Sequence, residues 1–406
     1  TAFCKKHISK FLNLFTKDIA LVLIKKIIIF SWIVCVFFAC QKININKKED
    51  SSGLDNVEET SSISAVPDSA HADLINHFSK YINIIADNGL PIHILAQSGV
   101  SNNKVYKVVD VLKFYLQNYP SSYGTAKSEI ANKMAVNKAT LYLFDDEHRG
   151  EKAIIKTKNI NLNYQAIYAE EIMVDGSQEY INNAFRDATF EEVLHLVQDY
   201  GIAEIIPEYQ AQIRTAADAA IAKGYWISVM IPEWEREGRI EAQYLATILD
   251  VYYGFWQNSA NDIAFSGEYF FSSREALRLG DPDGYDLMNG QFLPPYLDYE
   301  VSLYSDFNGQ FRMEYDTASR YTTKSQYLSD IRLTGNNNAS IRQNGYDNYL
   351  IGNSGDNKVY YNGSWENYSI TLGNPAVIID LIEDRDGADT LESIEFLVFA
   401  DTIISN

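Results

Sequence analysis

The sequence predicts an α+β protein: a mixed domain of helices and strands followed by a small β-rich, β-solenoid-like module. Two observations carry this. Helical and strand-like stretches alternate between residues 73 and 256, which excludes a plain helical bundle. A degenerate nine-residue repeat then occupies residues 334–360. At 406 residues the chain divides into an export segment (1–40), a disordered tether (41–69), the α+β domain (70–330) and the β module (331–406).

Charge and cysteine usage narrow the function classes. The chain has 54 acidic and 34 basic residues, a net charge of −20. Residues 1–39 hold six Lys and one Asp, so the remainder is more acidic still. Such a surface disfavours nucleic acid and anionic lipid as partners. Cys4, Cys35 and Cys40 are the three cysteines and all lie in the first tenth of the chain. The folded part therefore has no disulfide and no structural cysteine-type zinc site.

The export segment comes first. Lys25-Lys26 precedes the apolar run from Ile27 to Phe38, which ends in Ala39-Cys40. A positive region, a short apolar region and a small residue before cysteine resemble a bacterial lipoprotein signal, with Cys40 as the lipidated residue. The two Phe before Ala39 depart from the usual lipobox. The competing expectation is an uncleaved anchor from Ile19, interrupted by Lys25-Lys26. The lipoprotein reading implies export, with the chain on the bacterial surface or outer membrane, or extracellular, and held to a membrane by its N-terminal lipid. Residues 41–69 are rich in Ser, Glu, Asp, Asn and Lys without periodicity, the composition of a tether.

Within the α+β domain, residues 73–86 read as an amphipathic helix and Pro91-Ile-His-Ile-Leu95 as a strand. Residues 105–119 and 126–134 read as helices, Ala139-Thr-Leu-Tyr-Leu-Phe144 as a strand, and 153–156 and 164–172 as extended. Helices follow over 188–200, 208–223 and 238–256. Residues 257–330 are mixed, with turn signals at Asp281-Pro-Asp-Gly284 and Pro294-Pro295.

The helix over 188–200 carries the chemistry. It reads Glu191-Glu192-x-x-His195, one residue away from the His-Glu-x-x-His signature of zinc peptidases, with Glu191 where the first histidine would stand. Residues four apart share a helix face, so Glu191 and His195 can grip one ion. In that signature the central Glu, here Glu192, is the general base. Glu241 heads the apolar stripe Tyr244, Leu245, Ile248 and Tyr252 of the helix over 238–256. A carboxylate there is costly to bury without a partner, and a metal would be one. The same residues have a plainer explanation. Thr189-x-x-Glu192 is a capping box, and Glu191 in the first turn suits the helix dipole.

Followed by Gln198-Asp199-Tyr200-Gly201, the motif resembles the active-site helix of the anthrax lethal-factor-like zinc peptidases. Those enzymes belong to the gluzincin group of zincin-like proteins, in which a downstream helical Glu is the third ligand. Gly99-Val100, Ala139-Thr-Leu and Tyr168-Ala-Glu-Glu171 extend a likeness to a group of bacterial secreted proteins over roughly residues 88–300. The resemblance implies zinc held by His195 and Glu241, with Glu191 as a substitute ligand and Glu192 as general base. Tyr200, Tyr209, Tyr225 or Tyr244 would polarise the scissile carbonyl of a peptide or protein substrate. Glu191 departs from the family pattern: a carboxylate is shorter than histidine and its charge weakens the metal's acidifying effect on water. Two functions follow, a metal-dependent peptidase and a non-catalytic surface or adhesion protein that retains the scaffold.

In the β module, Ile341, Leu350 and Val359 are nine apart, and Asn338, Asp347 and Asp356 keep the same phase. The units resemble the calcium-binding nonapeptide of RTX-type toxins, each a short strand plus a turn. Asp347, Asp356, Asp384 and Asp386 are the candidate calcium ligands. Asn replaces Asp at several positions and the Gly-Gly pair is missing, so an Asn ladder is the ion-free alternative.

Overall fold

The computed structural model describes residues 52–54, 58, 60, 62–182, 187–255, 268–297, 301–316 and 327–406. The export segment, Cys40 and most of the tether lie outside these residues. Within the described part of the tether, Ser64 forms a β-bridge with Tyr81, and the amide of Thr60 donates to Asn83 Oδ1 at 2.8 Å. No helix among the described residues is long and apolar enough to cross a membrane.

The protein is α+β. A four-stranded sheet, in the order β1-β2-β3-β4, organises the first part. Its strands are β1 (Lys80–Ile85), β2 (Pro91–Ala96), β3 (Ala139–Phe144) and β4 (Asn163–Tyr168). β1 runs antiparallel to β2, and β2, β3 and β4 are mutually parallel. The helices before the site are α1 (Ala72–His77), α2 (Asn102–Leu116), α3 (Lys127–Val136), α4 (Glu147–Thr157) and α5 (Gln178–Asn182). Then come α6 (Thr189–Val197), a π-helical turn (Gln198–Ile202), α7 (Ala203–Ile205), α8 (Pro207–Lys223), α9 (Ile231–Glu237) and α10 (Ile240–Tyr253). α11 (Arg274–Gly280) and α12 (Pro282–Met288) complete the α-helices among the described residues.

Three local expectations are corrected. The helix expected over 73–86 stops at His77, and β1 takes up residues 80–85. Asp87-Asn88-Gly89 explains the change: Gly89 has φ +79°, and the Ala86 amide donates to Leu90 O, closing a hairpin onto β2. The extended stretch expected at 153–156 lies inside α4, whose start is capped by Asp146, Oδ1 of which accepts from the Arg149 amide at 2.9 Å. The turn expected at residues 281–284 opens α12, with Pro282 in its first turn, where a missing N–H costs nothing.

Side-chain alternation sorts the sheet into two faces. Tyr142, Phe144, Tyr164 and Tyr168 point one way, Tyr142 stacking on Tyr164 at 4.8 Å between ring centroids. A Cβ on Gly150 of α4 would meet Tyr168 at 2.8 Å and Phe144 at 3.0 Å, so α4 closes this face. Leu141, Leu143, Gln165 and Ile167 alternate onto the other face, which α6 covers.

Strands β5 (Val301–Ser302), β6 (Gly309–Arg312), β7 (Asp330–Arg332), β8 (Ala339–Arg342), β9 (Tyr349–Ile351) and β10 (Lys358–Tyr360) alternate between two further mixed sheets. The first named strand of these sheets thus starts at Val301, and a parallel bridge from Leu297 to Leu328 precedes it. The pairs among these six strands are parallel: Phe311 sits beside Ile341, Ile341 beside Val359, and Ile331 beside Leu350. The nine-residue phase is the step from one sheet to the other, and all five of these side chains are fully buried. A hairpin of β11 (Tyr368–Thr371) and β12 (Ala376–Asp380) then interrupts the alternation. β13 (Ala388–Glu392), β14 (Phe396–Val398) and β15 (Ile403–Ser405) finish the two sheets.

Candidate metal centre

The start of α6 is set by residues outside it. Its N-cap is Ala188, which offers no side-chain acceptor. Asp187 supplies one instead: Oδ1 accepts from the Thr189 hydroxyl at 2.7 Å and from the Thr189 amide at 3.2 Å. Oδ2 of Asp187 accepts from Lys107 Nζ at 2.6 Å, and Lys107 also pairs with Asp175 at 3.0 Å. Burial works against the Lys107 charge, but Asp175 and Asp187 more than offset it and hold its pKa above the ordinary lysine value. Asp187 is likewise penalised by burial, and Lys107 still brings its carboxyl below the usual range. Thr189 is thus the first residue of α6 and not its N-cap, and in place of the capping box expected from Thr189 and Glu192 the Asp187 side chain holds the start of the helix.

Two aromatic side chains of α2 fix the helix from the side. The Tyr115 hydroxyl donates to Phe190 O at 2.9 Å, and the Phe114 ring meets the Phe190 ring edge-on. Below the site the helix widens into the π-turn, a departure that recurs at functional sites. Gly201 in that turn sits against α3, where a Cβ would meet Ile130 Cγ2 at 2.7 Å.

Between these supports, Glu191, Glu192 and His195 come together. Their ligating atoms all lie within 4.8 Å of one another, the one such His, Cys, Asp or Glu group of three or more among the described residues. All three are buried, at 7, 3 and 3% exposure. Glu192 Oε2 lies 3.5 Å from His195 Nδ1 and accepts from Gln165 Nε2 of β4 at 2.6 Å. Two carboxylates and an imidazole held this close in a buried setting are a donor set that suits a divalent cation, whose charge offsets theirs.

The other sequence candidates are placed elsewhere. Glu241 stands in the first turn of α10, half-buried and outside the cluster, while Tyr244, Leu245, Ile248 and Tyr252 are buried along with every other residue of α10 from Ala242 to Tyr253, so the expected one-sided stripe is a helix buried all round. The Tyr244 hydroxyl donates to Asp281 Oδ2 at 2.8 Å and the Tyr209 hydroxyl to Leu287 O at 2.8 Å, so both serve the packing of residues 281–288. Tyr225 packs edge-on against Phe271, and Tyr200 is half-buried in the π-turn.

In the β module, Asp347 Oδ1 accepts from the Ala388 amide at 2.8 Å. Asp386 accepts from the Asn362 amide and side chain, both at 2.7 Å. Asp356 and Asp384 are exposed. Asn side chains tie the turns together: Asn353 Nδ2 donates to Thr334 O and Asn337 O at 3.0 Å, and Asn357 Nδ2 to Asn353 Oδ1 at 3.0 Å. Asn344 and Asn348 repeat the last contact nine residues earlier, again at 3.0 Å.

Gln165 is the site residue that sequence reading missed. Its signal was a polar amide in the stretch Tyr164–Tyr168, whose other residues are Tyr, Ala and Ile. No family model matches the chain, and no curated protein matches it.

Proposed function

We propose that this chain is an exported, surface-attached metal-binding protein of zinc-peptidase type, with Glu191 and His195 holding the ion. The observation that carries the reading is the buried Glu191–Glu192–His195 cluster. A bound zinc would acidify a water and polarise a peptide carbonyl. Glu192 would take up the proton during peptide hydrolysis. The anchor would be a lipid on Cys40, and the net charge of −20 argues against nucleic acid as a partner. The alternating strands of the C-terminal part are read as a β-solenoid-like roll. Its turns are held by Asn ladders, with calcium at Asp347, Asp356, Asp384 or Asp386 as the ion-dependent version.

One observation favours a second reading. The clustered side chains come from a single helix and do not include Glu241. A gluzincin-type peptidase needs that third ligand, so a non-catalytic surface protein retaining the scaffold fits a cluster without it. Zinc-dependent cleavage of a fluorogenic peptide library separates the two. Cleavage lost in Glu192→Gln and in Glu241→Gln supports the peptidase. Metal binding without cleavage of any peptide supports the non-catalytic protein.

A further inference from the structure

One oxygen of Glu192 has two polar neighbours of different origin. Gln165 Nε2 donates to Oε2 at 2.6 Å, and His195 Nδ1 lies 3.5 Å from the same atom. Gln165 belongs to β4, is 7% exposed, and reaches α6 across the sheet–helix interface. An amide donor on a carboxylate oxygen fixes that oxygen in place. A carboxylate facing Nδ1 favours the proton on that nitrogen and leaves the Nε2 lone pair for a metal, an arrangement of carboxylate, histidine and ion that recurs behind metal ligands.

We propose that Gln165 is a positioning residue of the metal centre: through Glu192 Oε2 it orients His195 so that Nε2 is the ligating nitrogen. The ion is a divalent transition metal, zinc first, matching imidazole and carboxylate donors. This rests on the metal-binding reading above. The proton-accepting role of Glu192 then falls to Oε1. The opposing arrangement has Glu192 Oε2 as a ligand itself. Gln165 would then compete with the ion for that oxygen, and removing Gln165 would tighten binding.

The sign of the effect decides between them. Zinc affinity is measured by competition with a chromophoric chelator for wild type, Gln165→Met, Glu192→Gln and the double variant. Gln165→Met keeps the volume and removes the donor. The proposal expects about 10- to 100-fold weaker zinc binding in Gln165→Met. It also expects less than about a 2-fold further loss when that change is added to Glu192→Gln, because the two act as one unit. Tighter binding, unchanged binding, or independent losses in the double variant overturn it. Thermal unfolding of the metal-free proteins identifies a variant that merely misfolds, in which case Gln165→Ala is substituted. A metal-independent readout stands beside this: ¹⁵N shifts of selectively labelled histidines, with His195 assigned by His195→Gln. Wild type should show His195 protonated on Nδ1, and Gln165→Met should lose that preference. The same tautomer in both proteins also overturns the proposal. If wild type binds no zinc, the metal-binding reading fails, and the NMR result still decides what Gln165 does to His195.

Discussion

The Thr189 hydroxyl donates to Asp187 Oδ1 at 2.7 Å, so the start of α6 hangs on a residue outside the helix. Asp187 is also the partner of buried Lys107. Asp187→Ala should cost about 3–5 kcal/mol, since it leaves a buried cation short of a partner. Thr189→Ala should cost about 1 kcal/mol, the loss of one hydrogen bond. Urea unfolding measures both. The acid limb should change too. The folded pKa of Asp187 is lowered, so its stabilisation is present above the unfolded value of about 4 and is lost as pH falls through the folded value. Asp175, raised chiefly by burial, works in the opposite sense and at higher pH, between the unfolded value of about 4 and its raised folded value. Asp187→Asn should therefore unfold with a flatter pH dependence below about pH 4 than wild type.

Gly201 leaves no room for a side chain against α3. Its Cβ would stand 2.7 Å from Ile130 Cγ2 and 3.0 Å from Met134 Cγ. Gly201→Ala should destabilise by about 1–3 kcal/mol through overpacking. It should also weaken metal binding, because the π-turn begins at Gln198, within one helical turn of His195. Paired unfolding and metal titrations check this.

The buried tyrosines that looked like carbonyl polarisers should turn out to be structural. Burial first, and then Asp281, hold the Tyr244 hydroxyl far above its usual pKa. Tyr209→Phe should cost about 1–3 kcal/mol by leaving Leu287 O unpaired in the interior. Tyr244→Phe removes one of two hydroxyls on Asp281, the other being that of Tyr269 at 2.7 Å. Neither change should alter metal affinity or any peptide cleavage by more than the lost stability explains.

Asn353 bonds two carbonyls of the preceding turn and accepts from the Gly355 amide at 2.8 Å. Asn353→Ala should cost about 1–3 kcal/mol. If the ladder alone holds the turns, millimolar calcium should leave the Tm of wild type and variant unchanged.

Local sequence carried much of this. Glu191 and His195 were legible because a four-residue step is fixed by helix geometry, and Ile341, Leu350 and Val359 because their spacing sets the strand alternation. Gln165 was not legible, since its contact with Glu192 depends on how β4 lies under α6. The start of α6 turned on Asp187, a charge fixed by Lys107, 80 residues away in the chain. Residues 80–85 misled because Tyr, Ile and Asn satisfy a helical period as easily as an alternating one, and Asn88-Gly89 was the deciding signal.

Zinc content per chain, measured by mass spectrometry on the purified full-length protein beside its His195→Ala variant, tests the metal centre most directly. The account predicts about one zinc per wild-type chain, the stoichiometry of a single four-coordinate site, and near none in a variant that still unfolds cooperatively. Equal zinc in the two proteins, or none in wild type after zinc loading, would contradict it.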